Sequence, residues 1–224
     1  MLRDAISELE SLFEPCRNAK RAQTARAYMK DNFHYIGMRT DDRRTVQKSW
    51  VEAIKTIEDR NERWNIIRAL FEKEERDYHY VAIDWLNSWP KKYYSSEDAE
   101  ELKWMLTTHS WWDSVDAIAS NYLGKWAKLY PEKARETFEN WRHTNDMWLQ
   151  RSCLIYQLKY KDEVDIAFLE SLIVQFLPIK EFFIQKAIGW TLRQLSKFNP
   201  VAVEEILQKH QIKGLAYREA SKYL

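Results

Sequence analysis

Apolar side chains recur along this chain with helical spacing almost from end to end. Ile6, Leu9, Leu12 and Phe13 fall at steps of three, three and one, an apolar stripe on one face of a first helix that Pro15 ends. The same periodicity predicts a second helix over 17–33 and further helices over 43–57, 62–71, 78–89 and 97–107. It then predicts helices over 111–129, 131–141, 147–160, 165–176, 181–198 and 200–208, with a short one closing the chain around Tyr217. Several starts carry their own chemistry. Asn199 before Pro200 places a capping amide ahead of a proline whose missing N–H costs nothing in the first turn. Asp165 is placed to cap the helix that follows it, and Ser95 with Asp98 three residues on resembles a capping box with the weaker acid.

An all-α protein follows, since four Gly and five Pro are too few turn formers for many short strands. The 224 residues suffice for one domain with a sizeable core, so 1–224 is read as a single unit. Ten or more short helices in consecutive pairs, at about 35–45 residues per pair, suggest a helical-repeat solenoid, with a compact bundle as the ordinary alternative. No run of about eighteen apolar residues spans a membrane. Met1-Leu2-Arg3-Asp4 lacks the apolar segment of a secretory signal. Cys16 and Cys153 are too few for a disulfide framework, and a reducing cytoplasm is the expected address. No Cys/His cluster has metal-ligand spacing, and His34, His79, His109, His143 and His210 are scattered. Phosphate-cradling glycine loops and nucleophile elbows are likewise missing, so no metal and no cofactor is expected.

A formal net charge of +1 argues at first against a nucleic-acid partner. The distribution changes that picture. Between 15 and 30 stand Arg17, Lys20, Arg21, Arg26 and Lys30 with no acid; between 147 and 161, Arg151, Lys159 and Lys161; between 182 and 203, Lys186, Arg193 and Lys197. Acids collect elsewhere, in 52–77, 97–101, 132–139 and 162–170. Three basic, acid-free stretches brought together by the fold make a positive surface that tracks phosphates, because local field rather than net charge governs such binding. Ordinary solvated helix faces are the competing explanation.

Eleven Trp and twelve Tyr serve mainly to fill a helical core, but a few sit where chemistry is possible. Trp112 and Asp116 are four apart and share a helix face, an indole beside a carboxylate. Such a pair suits a sugar whose glycosidic bond breaks through an oxocarbenium-like state, since an anion nearby lowers that barrier. A core Trp and a paired Asp would show the same spacing. Trp148 and Arg151 are three apart, and Arg151 is suited either to a phosphate or to orienting a carboxylate. Lys186, Trp190 and Arg193 form a stripe at steps of four and three, alternating cation and aromatic as a nucleotide site would require.

At these residues the chain resembles the AlkD branch of bacterial HEAT-like-repeat DNA glycosylases, usually called DNA alkylation repair proteins. The matching segments are Ala27-Tyr28-Met29-Lys30, Ser110-Trp111-Trp112-Asp113-Ser114-Val115-Asp116, Trp148-Leu149-Gln150-Arg151 and Gln157-Leu158-Lys159-Tyr160-Lys161. The longest is Lys180-Glu181-Phe182-Phe183-Ile184-Gln185-Lys186-Ala187-Ile188-Gly189-Trp190, followed by Leu192-Arg193, and Arg218-Glu219-Ala220 also fits. The resemblance covers the chain in order from end to end.

It implies a HEAT-like solenoid gripping double-stranded DNA in a concave basic face and excising cationic N3- and N7-alkylated purines without a deep base-flipping pocket. Asp116 would be the catalytic carboxylate, with Trp112 and Trp190 packed on the deoxyribose. Tyr28 would add an aromatic wall and Arg151 would contact the backbone beside the lesion. Lys186, Arg193, Lys159, Lys161, Arg17, Lys20, Arg21 and Arg39 are the accompanying candidates for DNA binding. A cationic leaving group needs no proton, which accounts for the lack of an obvious general acid. A nucleoid-associated monomer, away from membranes and without cofactor, is the corresponding expectation. After Tyr35-Ile36-Gly37-Met38 the chain departs from the family: Arg39-Thr40-Asp41 replaces an amide followed by Thr-Pro, so a cation stands where an amide would reach the groove. Two other readings stay open, a DNA-binding relative that excises nothing and a helical-repeat scaffold for a protein partner.

Overall fold

A computed structural model describes residues 2–224. Among them there is no β-strand, only an isolated bridge pairing His34 with Glu75. The chain divides into two compact units, Met1–Tyr94 and Ser95–Leu224.

The first unit holds α1 (Leu2–Phe13), α2 (Ala19–Tyr28), α3 (Thr40–Val46), α4 (Lys48–Ile54), α5 (Arg60–Phe71) and α6 (Arg76–Asn87). The apolar stripe of α1 is buried as its spacing requires, with Leu9 and Phe13 inaccessible and the Phe13 ring stacked on Tyr78 at 5.4 Å. Trp50 of α4 fixes α1 by donating its indole N–H to the Ala5 carbonyl at 2.6 Å. α2 is shorter than its sequence suggests. Lys30 and Asp31 take positive φ (58° and 59°), which ends any helical run before Phe33. The single helix expected over 43–57 is two, broken at Gln47, whose buried side chain reaches across to Asp84.

The second unit holds α7 (Asp98–Thr107), α8 (Trp112–Ile118), α9 (Gly124–Leu129), α10 (Pro131–Arg142) and α11 (Met147–Ile155). It continues with α12 (Ile166–Phe176), α13 (Phe182–Ser196), α14 (Pro200–Lys209) and α15 (Gly214–Ala220). The caps read from sequence are present: Asn199 accepts from the Ala202 N–H at 3.1 Å and Asp165 from the Phe168 N–H at 3.0 Å. The Ser95–Asp98 pair makes the reciprocal half of its box, with Asp98 accepting from the Ser95 N–H at 2.9 Å while the Ser95 hydroxyl accepts from Glu97.

The long helix expected over 111–129 is interrupted. Between α8 and α9 the chain makes a π-helical turn over Ala119–Leu123. Ser120 and Asn121 both turn their side chains back on the helix, donating to the Asp116 and Ala117 carbonyls at 2.7 Å each, which competes with the regular backbone ladder. Such turns recur beside functional sites. α13 lies at the centre of this unit, packed on α11, α14 and α15. Its contact with α15 is close enough to require Gly189, since a Cβ there would meet the Ala216 carbonyl at 2.7 Å. No helix among the described residues is long and apolar enough to cross a membrane.

Candidate active site

Trp111 precedes α8 in an extended conformation (φ −155°, ψ 164°), so α8 begins at Trp112 and presents Asp116 one turn later. Arg151 comes to meet it from α11. Its Nε donates to Asp116 Oδ1 at 2.7 Å and its Nη2 to Oδ2 at 2.8 Å, while Nη1 donates to the Phe183 carbonyl on α13. One guanidinium thus ties three helices together. The Arg151 side chain is 3% exposed and that of Asp116 16%, so the carboxylate is the member of the pair that meets the exterior. Burial pushes the Asp116 carboxyl above its ordinary value, the hydrogen bonds and charge of Arg151 pull it back, and Asp113 adds to the rise.

Around the carboxylate, Trp112, Asp116, Arg151, Phe182, Phe183, Lys186, Trp190 and Arg193 line a cavity of about 230 Å³. Phe183 is backed by two indoles, with ring centroids 5.3 Å from Trp111 and 5.1 Å from Trp148, edge-on and tilted contacts that fix its ring. The two cations at the rim share one acid. Glu219 of α15 lies 3.0 Å from Lys186 and 2.6 Å from Arg193, and also 2.9 Å from Lys222. Bonding to Lys222, opposed by desolvation and reinforced by Lys186, lowers the Glu219 carboxyl to about 2.

The second unit therefore brings together six residues chosen from sequence: Trp112, Asp116, Arg151, Lys186, Trp190 and Arg193. Lys159 and Lys161 do not line that cavity. Lys159 is exposed and donates to Asn121 of the π turn, and Lys161 is exposed at a positive φ of 60°. Arg151 stands differently from the backbone contact its resemblance implies. Three of its nitrogens donate to Asp116 and Phe183 and the side chain is buried, so of its two chemical roles the structure gives it the orientation of a carboxylate.

The remaining candidates belong to the first unit. Tyr28 is 68% exposed, and Lys20 and Arg39 are exposed. The basic run of α2 is less bare than its sequence shows. Arg17 is held by Glu14 at 2.6 Å and Glu75 at 2.9 Å, and Arg21 lies 3.7 Å from Asp42, acids that stand outside the run. Glu219 acts on Lys186 and Arg193 in the same way, and no local spacing in sequence announces it. Phe182 was more legible, because it extends the Lys186–Trp190–Arg193 stripe by one further step of four. Among the described residues no group of three or more His, Cys, Asp or Glu is arranged to hold a metal ion.

Fold and cavity define an all-helical protein in which one carboxylate, two indoles and three cations line a single cavity. The chain belongs to the DNA alkylation repair enzyme family, whose model matches residues 9–224. Membership supports a role in DNA repair. Among solved structures, the chain is similar to one described as a predicted DNA alkylation repair enzyme from Enterococcus faecalis, at 33% identity and a TM-score of 0.83. That match covers 93% of this chain and 96% of the other. No curated protein matches.

Proposed function

We propose that the protein is a DNA glycosylase that releases positively charged N3- and N7-alkylated purines from duplex DNA. The observation that carries this reading is the Asp116 carboxylate, held by the buried Arg151 and open on its other side to a cavity walled by Trp112 and Trp190. An alkylated purine of this kind already carries a positive charge. When its glycosidic bond breaks, the electron pair leaves with the base, which becomes neutral without taking a proton. The positive charge passes to the deoxyribose as an oxocarbenium-like state, where an anion placed before reaction lowers the barrier without reorganisation.

Arg151 favours the ionised carboxylate against the effect of burial and fixes the direction of both oxygens. The indoles of Trp112 and Trp190 offer flat surfaces to the sugar and exclude bulk water, which strengthens the attraction between anion and cation. Water then adds to the sugar carbon and passes a proton to Asp116 and on to solvent, leaving an abasic site. In this reading the base stays in the stack, and Lys186 and Arg193 at the cavity would exchange Glu219 for the flanking phosphates. One copy of the chain and no cofactor suffice.

Release of 7-methylguanine from methylated duplex DNA, wild type beside Asp116→Asn, is the direct test. Wild type should release the base, and the variant should be slower by about 10²–10³, the usual cost of removing one preorganised electrostatic group, with duplex affinity retained. Equal rates would remove Asp116 from the mechanism. No release by either protein, with salt-sensitive binding kept, would leave a DNA-binding relative that excises nothing.

A further inference from the structure

A second cavity adjoins the first. It measures about 530 Å³, within the range of about 300–1,000 Å³ typical of ligand sites. Phe182 belongs to both, and Lys180, Lys213, Gln185 and Gln211 supply the polar side chains of the larger one, with no carboxylate in its lining. Five lysines of this unit stand in ion pairs, whereas Lys103, Lys161 and Lys197 do not among the described residues. Lys128 is paired with Glu163, Lys133 with Glu136, Lys186 and Lys222 with Glu219, and Lys209 with Glu170. Lys180 and Lys213 have no ion-pair partner among the described residues. Even the neighbouring Glu181 is turned away, its carboxylate accepting from the Phe183 and Ile184 N–H groups at 2.5 and 3.2 Å to cap α13.

Two uncompensated cations facing one cavity favour an anion, and the local field they create is not cancelled within the site. The aromatic component is also exposed: the Phe182 ring is 55% accessible at the boundary between the two cavities. Gln185 Nε2 donates to the Leu177 and Ile179 carbonyls at 3.1 and 2.7 Å, which fixes its amide. The Gln211 amide makes no hydrogen bond among the described residues. Anion, flat apolar surface and amide partners are together the chemistry of a nucleotide.

The geometry points to a subsite for the nucleotide next to the lesion, with its phosphodiester between Lys180 and Lys213 and its sugar against Phe182. This assignment rests on the neighbouring cavity being where the damaged nucleotide reacts. The ring of Phe182 would then separate the reacting sugar from the next one, setting the step of the strand across the two cavities.

The test couples protein to DNA. Duplexes bearing one neutral methylphosphonate at successive positions around the lesion are bound by wild type and by Lys180→Gln/Lys213→Gln, with and without the lesion. Wild type should lose about tenfold in affinity at one position, as for one lost phosphate contact, and the double variant should lose nothing further there. The double variant should also show a slope of log affinity against log salt that is shallower by about 0.9 per lost contact. Additive losses at every position would overturn the subsite. So would stabilisation of wild type alone by millimolar inorganic phosphate without any coupled position, which would mark a site for a free anion. Binding is read without excision, so the subsite is decided even if the glycosylase reading fails.

Discussion

Each unit holds an aspartate whose carboxyl burial pushes up, Asp77 in the first and Asp116 in the second, and the two are put to different use. Asp77 in the first unit is 2% exposed and accepts from the Ile36 and Met38 N–H groups at 2.9 and 3.4 Å, pinning the loop before α3. Asp116 in the second accepts from a guanidinium instead and keeps a sixth of its side chain open to a cavity. Burial raises both carboxyls. A raised carboxyl alone therefore does not distinguish a reacting group from a structural one. What separates them is partner and exposure: backbone N–H groups hold the two oxygens of an inaccessible Asp77, whereas Arg151 holds both oxygens of Asp116, which stays partly open to a cavity lined by Trp112 and Trp190.

The contrast breaks most severely through Arg151. Arg151→Leu strands the Asp116 charge in a buried site, and chemical denaturation should show a loss of about 3–5 kcal/mol. The same change removes the interaction that pulls the carboxyl down, so the acid limb of the excision rate should move to higher pH than in wild type. In wild type that limb should already lie above the range of a solvated aspartate, because the anion proposed to react would be lost as pH falls through the raised value. A limb at the ordinary aspartate position would refute the assignment of the acid limb to Asp116.

Matched substitutions sharpen the comparison. Asp116→Asn should abolish most excision with the unfolding transition kept. Asp77→Asn should cost about 1–3 kcal/mol of stability through the backbone donor left without an acceptor, with excision per folded molecule unchanged. If Asp77→Asn stopped catalysis in a folded protein, the two sites would not be separable. The smallest effect belongs to Glu219→Gln, about 1 kcal/mol, because glutamine keeps the shape of the buried side chain and the three cations it would leave are themselves partly exposed. The sign follows from its lowered carboxyl: the wild-type advantage is present above the ordinary glutamate value of 4.5 and is lost as pH falls toward about 2. Melting curves at pH 7 and below pH 4 should show the gap closing.

The fold was readable because its cues are local. Asn199 and Asp165 cap the helices they precede, and the stripe of α1 faces inward. The breaks at Gln47 and at Ala119–Leu123 were not readable, since a side chain that reaches to Asp84 or folds back on a carbonyl leaves apolar periodicity intact. In the candidate site, Trp112 with Asp116 and Lys186 with Trp190 and Arg193 follow from helical spacing. The choice of Arg151 between phosphate and carboxylate did not, nor did Glu219, because both depend on partners more than twenty residues away.

The π turn that follows Asp116 makes the number of residues in this segment as important as their identity. An α-helix advances about 100° per residue, so removal of one residue from Ala119–Leu123 would restore an even winding and swing everything downstream by that angle. Tyr122 would leave Asp98, which its hydroxyl meets at 2.9 Å, and Trp126 would leave the Ser95 carbonyl at 2.7 Å. A one-residue deletion here would thus uncouple the carboxylate from its scaffold while every side chain lining the cavity remained in the sequence.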